Sequence, residues 1–120
     1  MKYSGWDKKG RRVNTRSRVW PDTKATLKVI DPMSPVRRIL TIKGNVSNLG
    51  STGMFMITNE AVPVPAKAEI VIDFDPSRSE SLTIEALGEV VRTAENGVGV
   101  RFTTINTERL QECILARMNR

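Results

Sequence analysis

Apolar side chains recur at every second position through most of this chain. Ala25, Leu27 and Val29 alternate with Lys24, Thr26 and Lys28, the signature of a strand with one buried face. Asp31-Pro32-Met33-Ser34-Pro35 reads as a turn. Beyond it, Leu40, Ile42, Gly44 and Val46 share one face of a longer strand, opposite Thr41, Lys43, Asn45 and Ser47. The polar stretch Asn48 to Gly53 then reads as the whole turn into Met54-Phe55-Met56-Ile57-Thr58. Pro63 and Pro65 break the chain before a further strand over Ala68–Phe74. Asp75-Pro76-Ser77-Arg78-Ser79 is a loop, and alternate Asp73 and Asp75 suit the start of a solvated turn. Leu82 to Thr93 makes another long strand, with Gly88 placed for a bulge.

The clearest hairpin signal is Glu95-Asn96-Gly97, since Asn-Gly supplies the positive φ angles of a type I′ turn. It leads into a strand whose Val98, Val100 and Phe102 share a face. Asn106 or Thr107 then caps a helix carrying Leu110, Cys113, Ile114 and Met118 on one side. Six short strands and one closing helix predict an all-β fold, a small antiparallel barrel with a C-terminal α-helix. The barrel domain spans residues 20–120, with the helix at about 105–118, behind an N-terminal arm of residues 1–19.

Composition refines this picture. A chain of 120 residues with 39% apolar side chains has room for one core. It holds no run of eighteen apolar residues and no apolar leader of the secretory kind. Cys113 is the lone cysteine, which excludes an internal disulfide and predicts a reducing, cytoplasmic setting. The charge is concentrated in the arm. Lys2, Lys8, Lys9, Arg11, Arg12, Arg16 and Arg18 stand there against Asp7, which is the whole net charge of +6, while the rest of the chain is neutral. A basic arm on a neutral body attracts an anion, although solvated tails of this composition are also common.

Catalytic constellations are missing. With no histidine and one cysteine, the commonest general base and the zinc clusters are both absent. Cys113 sits on the apolar side of its helix, where a small core residue belongs. Trp20 precedes Pro21 at the root of the arm, where it could stack on a base or anchor the arm to the barrel. The sequence predicts a protein that is not an enzyme and that needs no cofactor or metal.

Two stretches remain that suit a planar, dianionic ligand. Arg12-Val13-Asn14-Thr15-Arg16 offers two guanidinium forks four residues apart. Asn48-Leu49-Gly50-Ser51-Thr52-Gly53 offers small polar groups and close backbone approach. In this order, and with the late hairpin Gly88-Glu89-Val90-Val91-Arg92 through Val98-Gly99-Val100-Arg101-Phe102, the chain resembles a PilZ domain, the bacterial receptor module for cyclic di-GMP. Members carry RxxxR ahead of the first strand and (D/N)xSxxG at the end of the second.

The resemblance implies a six-stranded PilZ-type barrel and a cyclic di-GMP effector. Its ligand would be gripped by Arg12 and Arg16, with Arg11 and Arg18 as auxiliaries and Asn48 hydrogen-bonded to a guanine. Gly53 would permit close approach, and Gly50 would occupy the position where members carry serine. The other register of the second motif, Asn45-Val46-Ser47-Asn48-Leu49-Gly50, matches NxSxxG literally and makes Asn45, Ser47 and Gly50 the contacts. The arm would become ordered on binding and signal to a separate downstream protein, without membrane insertion. Two alternatives stand beside this reading. One is a degenerate PilZ adaptor that works through protein contacts without the nucleotide. The other is a nucleic-acid-binding barrel, against which aromatics make up only 5% of the chain.

Overall fold

The order of the strands follows from which pairs must close the sheet on itself. The computed structural model describes residues 16–17, 19–78 and 82–120. It contains β1 (Arg16–Ser17), β2 (Lys24–Ile30), β3 (Ile39–Gly50), β4 (Gly53–Ile57), β5 (Ala66–Asp73), β6 (Thr83–Ala94), β7 (Gly97–Ile105) and α1 (Thr107–Met118). Strands β2 to β7 pair antiparallel in the order β3-β2-β5-β6-β7-β4, and β3 pairs again with β4. That last pairing closes a six-stranded barrel and leaves no open edge among these strands.

The interior is the apolar face predicted by alternation. Leu27, Val29, Ile70, Ile72, Phe74, Met56, Leu49 and Val90 are almost fully buried, each contributing about 1.5–3 kcal/mol relative to exposure. Strand β5 alternates without fault, Ala66, Ala68, Ile70 and Ile72 inward and Lys67, Glu69 and Val71 outward. The expected bulge at Gly88 is present as a register shift between Leu87 and Gly88. Asn106 caps α1, its side chain accepting a hydrogen bond from the Arg109 amide at 3.0 Å. Leu110 and Cys113 are buried under the helix and Ile114 is half-buried, whereas Met118 is exposed. Burial raises the Cys113 thiol above its ordinary pKa, in keeping with a core residue and not a nucleophile.

Two turns differ from expectation. The β6–β7 turn consists of Glu95 and Asn96, flanked by the pair Ala94–Gly97. Among the described non-glycine residues only Arg37 has positive φ, so the turn is not type I′. Gly97 is needed for a different reason. It begins β7 opposite Ile57, where a Cβ would overlap the Met56 carbonyl and lie 2.8 Å from the Phe55 ring. The second difference lies in Asn48–Gly53, which is not all turn. Strand β3 continues to Gly50, and only Ser51 and Thr52 separate it from β4.

Asp75 is the other departure. Its backbone amide donates to the Asp73 carboxylate at 3.0 Å, forming the anticipated turn, but the Asp75 side chain is 1% exposed and not solvated. Arg117 contacts it at 2.8 Å and Arg120 at 3.0 Å, so both ends of the charge are satisfied. Arg117 also reaches Asp22 at 3.2 Å. Its guanidinium lies 5.3 Å from the Trp20 ring centroid, and Trp20 meets Phe74 edge to face at 6.5 Å. The end of α1 is thereby fastened both to the barrel and to the root of the arm.

Two outcomes follow from these contacts. Replacing Gly97 with alanine forces the β4 backbone or the Phe55 ring aside, and overpacking of this kind costs roughly 1–3 kcal/mol, measurable as a lower urea midpoint. The pH dependence has a definite sign. Burial alone would raise the Asp75 carboxyl, but the Arg120 hydrogen bond, the Arg117 charge and the Ser77 hydroxyl hold it below its ordinary value of 3.8. A carboxyl depressed on folding stabilises the protein above that ordinary value, and the contribution fades as pH falls through the folded-state value. Thermal midpoints should therefore drop on acidification below about pH 4, and Asp75→Asn should flatten that acid limb while lowering the midpoint near neutrality.

Candidate functional site

Strand β3 is long enough to serve three partners, and the candidate residues lie where the third takes over. β2 pairs with it from Ile39 to Asn45, while β1 pairs with its far end on the same edge, Arg16 opposite Gly50 and Ser17 opposite Leu49. The second arginine of the RxxxR stretch is thus registered directly against the Asn48–Gly53 stretch. Arg11 and Arg12 lie outside the described residues.

Along its other edge β3 pairs with β4 and is bulged. Val46 is opposite Met56 and Asn48 is opposite Phe55, which leaves Ser47 as the extra residue. Strict alternation would bury every second side chain. The bulge instead buries Val46 and Leu49, three apart, and exposes both Ser47 and Asn48 between them. Side chains from both registers of the motif consequently sit side by side on the outside of the barrel.

Asn45 has another duty. Its Nδ2 donates to the Pro21 carbonyl at 3.0 Å and its Oδ1 accepts from Lys24 Nζ at 3.2 Å. Two residues on, Thr23 O accepts from the Val46 amide at 2.9 Å. These bonds hold the chain segment between β1 and β2 along β3. A shallow groove of about 440 Å³ runs between that segment and the barrel, lined by Trp20, Asn45, Ser47 and Ile57 among others.

The β3–β4 turn is fixed from the side of β7. Thr52 O accepts from the Phe102 amide at 2.8 Å. Gly53 is opposite Arg101, and a Cβ there would overlap the Val100 carbonyl. The absence of a side chain at Gly53 is therefore demanded by the neighbouring strand, whatever the ligand. Gly50, registered with Arg16, and Gly53, registered with Arg101, carry no side chain. Arg101 forms a 2.7 Å ion pair with its cross-strand neighbour Glu89. The next row outward runs from Asn48 through Phe55 and Gly99 to Arg92.

Arg92 and Arg101 figure in the sequence only as parts of the late hairpin, and Phe55 only as part of a strand, with nothing to place them beside the Asn48–Gly53 stretch. Alternation around inward Val98, Val100 and Phe102 marks Arg101 as outward, but nothing local reveals that it faces Gly53. Among the described residues no group of three metal-ligating side chains occurs, and no helix is long and apolar enough to cross a membrane. Another groove, lined by Ile30, Ile39, Ala68 and Leu87, lies near the opposite end of β3.

A comparison with curated proteins finds no match. The family model for the PilZ domain matches residues 11–117, a span that includes both arginines of RxxxR, the bulged end of β3, the late hairpin and nearly all of α1. The chain belongs to the PilZ domain family.

Proposed function

We propose that this protein binds cyclic di-GMP on the outer wall of the barrel, at the bulged end of β3, and signals from there to a partner protein. The observation that carries the reading is the register of β1, which sets Arg16 opposite Gly50. It brings the arginine-bearing arm to the strand end that exposes Ser47 and Asn48. Arg12 and Arg16 supply charge-assisted hydrogen bonds to phosphate and guanine edges. Asn48 supplies an amide with donors and an acceptor for a base edge. Gly50 and Gly53 leave room above the backbone. The bulge also supports a role for the Ser47 hydroxyl in place of the one absent at Gly50. Asn45, occupied with Pro21 and Lys24, acts as the clasp of the arm root. A single buried thiol suits a cytoplasmic setting, and neither a cofactor nor catalysis is part of the proposal.

The degenerate adaptor is the second reading, and Gly50 favours it. A lost neutral hydrogen bond costs only about 0.5–1.5 kcal/mol, a factor of several in affinity, so the substitution by itself weakens binding without removing it.

Calorimetric titration with cyclic di-GMP tests both. Arg12→Ala and Arg16→Ala each remove charge-assisted contacts of about 1.5–3 kcal/mol and should weaken binding at least about tenfold, with the thermal midpoint of the unliganded protein unchanged. Ser47→Ala and Asn48→Ala should each weaken binding several-fold, Gly50→Ser should tighten it where its unliganded stability is retained, and Asn45→Ala should act on stability. Unaltered affinity in both arginine variants rejects the site. No binding by the unsubstituted chain leaves the adaptor. Oligonucleotide binding that is tighter than cyclic di-GMP binding and falls steeply with salt would favour the nucleic-acid reading.

A further inference from the structure

The row beyond Asn48 has the makings of a stacking surface. Asn48 is registered with Phe55, Phe55 with Gly99, and Gly99 with Arg92. Residues directly opposite one another in a sheet share a face, so this row lies on the outer wall and Gly99 leaves a gap in it. Arg92 lies across that gap. Its Cγ and Nε are 3.0 and 3.1 Å from where a Cβ on Gly99 would stand. Its guanidinium carbon sits 5.3 Å from the Phe55 ring centroid, within the range of a cation–π contact. The Phe55 ring in turn rests against Gly97. Two glycines in one strand thus make space for an aromatic ring and a planar cation.

Arg38, Arg101, Arg109, Arg117 and Arg120 each face a carboxylate. Arg92, like the exposed Arg37 and Arg78, has no carboxylate partner among the described residues, and it lies over an aromatic ring. A structural role alone would be served by an apolar side chain covering Phe55. An uncompensated guanidinium beside that ring keeps a flat face and several N–H donors available to a ligand.

We propose that Phe55 and Arg92 form a ledge for a second purine base, so that a ligand held at Asn48 extends across β4 and β7 toward β6. The inference rests on the cyclic di-GMP reading and adds to it the seat of the other guanine. Asn48 and Arg92 are three strand spacings apart, roughly 14 Å. A ligand carrying two bases on one ring can bridge that span, whereas a single nucleotide engages only one end. Stacking on such a surface tolerates either purine, because every base has a π-face.

The test uses calorimetry with cyclic di-GMP on the full chain and on Arg92→Ala, Arg92→Lys, Phe55→Leu and Arg16→Ala, each checked for its unliganded thermal midpoint. Arg92→Ala should weaken binding at least about fivefold, as loss of one base stack predicts, with its midpoint unchanged. Phe55→Leu, which keeps an apolar side chain in place, should weaken it by a similar factor. Arg92→Lys should fail to restore affinity, because an ammonium has the charge without the planar face. If Arg16→Ala weakens binding and both Arg92→Ala and Phe55→Leu bind as the unsubstituted chain does, the ledge is overturned while the site at Asn48 stands. Full restoration by Arg92→Lys overturns stacking in favour of simple charge attraction. Absence of binding by the unsubstituted chain removes the cyclic di-GMP reading, and the ledge with it.

Discussion

The bulge at Ser47 is the constraint on which the outer wall depends. Closing the barrel requires β3 to pair with β4 while its buried side chains continue to meet the core. With Val46 and Leu49 both inside, the chain must fit two exposed residues between them. An unbulged strand with Val46 inside would have buried Asn48 and exposed Leu49, and both are costly, since a buried amide without partners and an exposed leucine each lose a few kcal/mol. The bulge resolves this and, as a by-product of packing, sets a hydroxyl and an amide together on the surface. Bulges are enriched beside functional sites because they redirect side chains in this way.

A second constraint concerns how the arm reaches that surface. Its root is fixed by three independent devices: the Asn45 clasp on Pro21, the Thr23 carbonyl on Val46 and the Trp20 ring between Phe74 and Arg117. Ordering each further residue of backbone costs about 1–2 kcal/mol. In the proposed mechanism, an anchor at Trp20, four residues after Arg16, limits the length of chain between the barrel and that arginine. The same Arg117 is bound to buried Asp75, so the arm root, the barrel floor and the end of α1 share one charge network. This arrangement links the ligand side of the proposed mechanism to the helix, whose Leu115 and Met118 are exposed.

Much of this was legible in the chain. Period-two alternation, helped by the turn signals around the apolar run Met54–Ile57 and the last hairpin, located all six barrel strands, and the helix was legible from its cap and its Leu110–Cys113 spacing. What escaped were features set by tertiary context. Asn-Gly at 96–97 suggested positive φ, but the glycine serves instead to let β7 approach the Met56 carbonyl. Asp73 and Asp75 read as a solvated pair because Arg117 and Arg120, more than forty residues away in sequence, carry no local sign of the pairing. The polar Asn48–Gly53 stretch read as a turn because polar residues suit turns and outward strand positions equally, and only the pairing of Asn48 with Phe55 separates the two. Both arginines of RxxxR were legible as a motif. That Arg16 faces Gly50 is a matter of register, which no local pattern encodes.

The most direct test of the account is the position of the ligand on the barrel. Backbone amides of ¹⁵N-labelled protein can be followed by nuclear magnetic resonance during titration with cyclic di-GMP. The account predicts saturable shifts of the amides from Ser47 to Gly53 and of Arg16, with those of Ile30, Ile39 and Ala68 near the opposite end of β3 staying in place. Shifts concentrated around Ile30 and Ile39, with the bulged end of β3 unmoved, would contradict it.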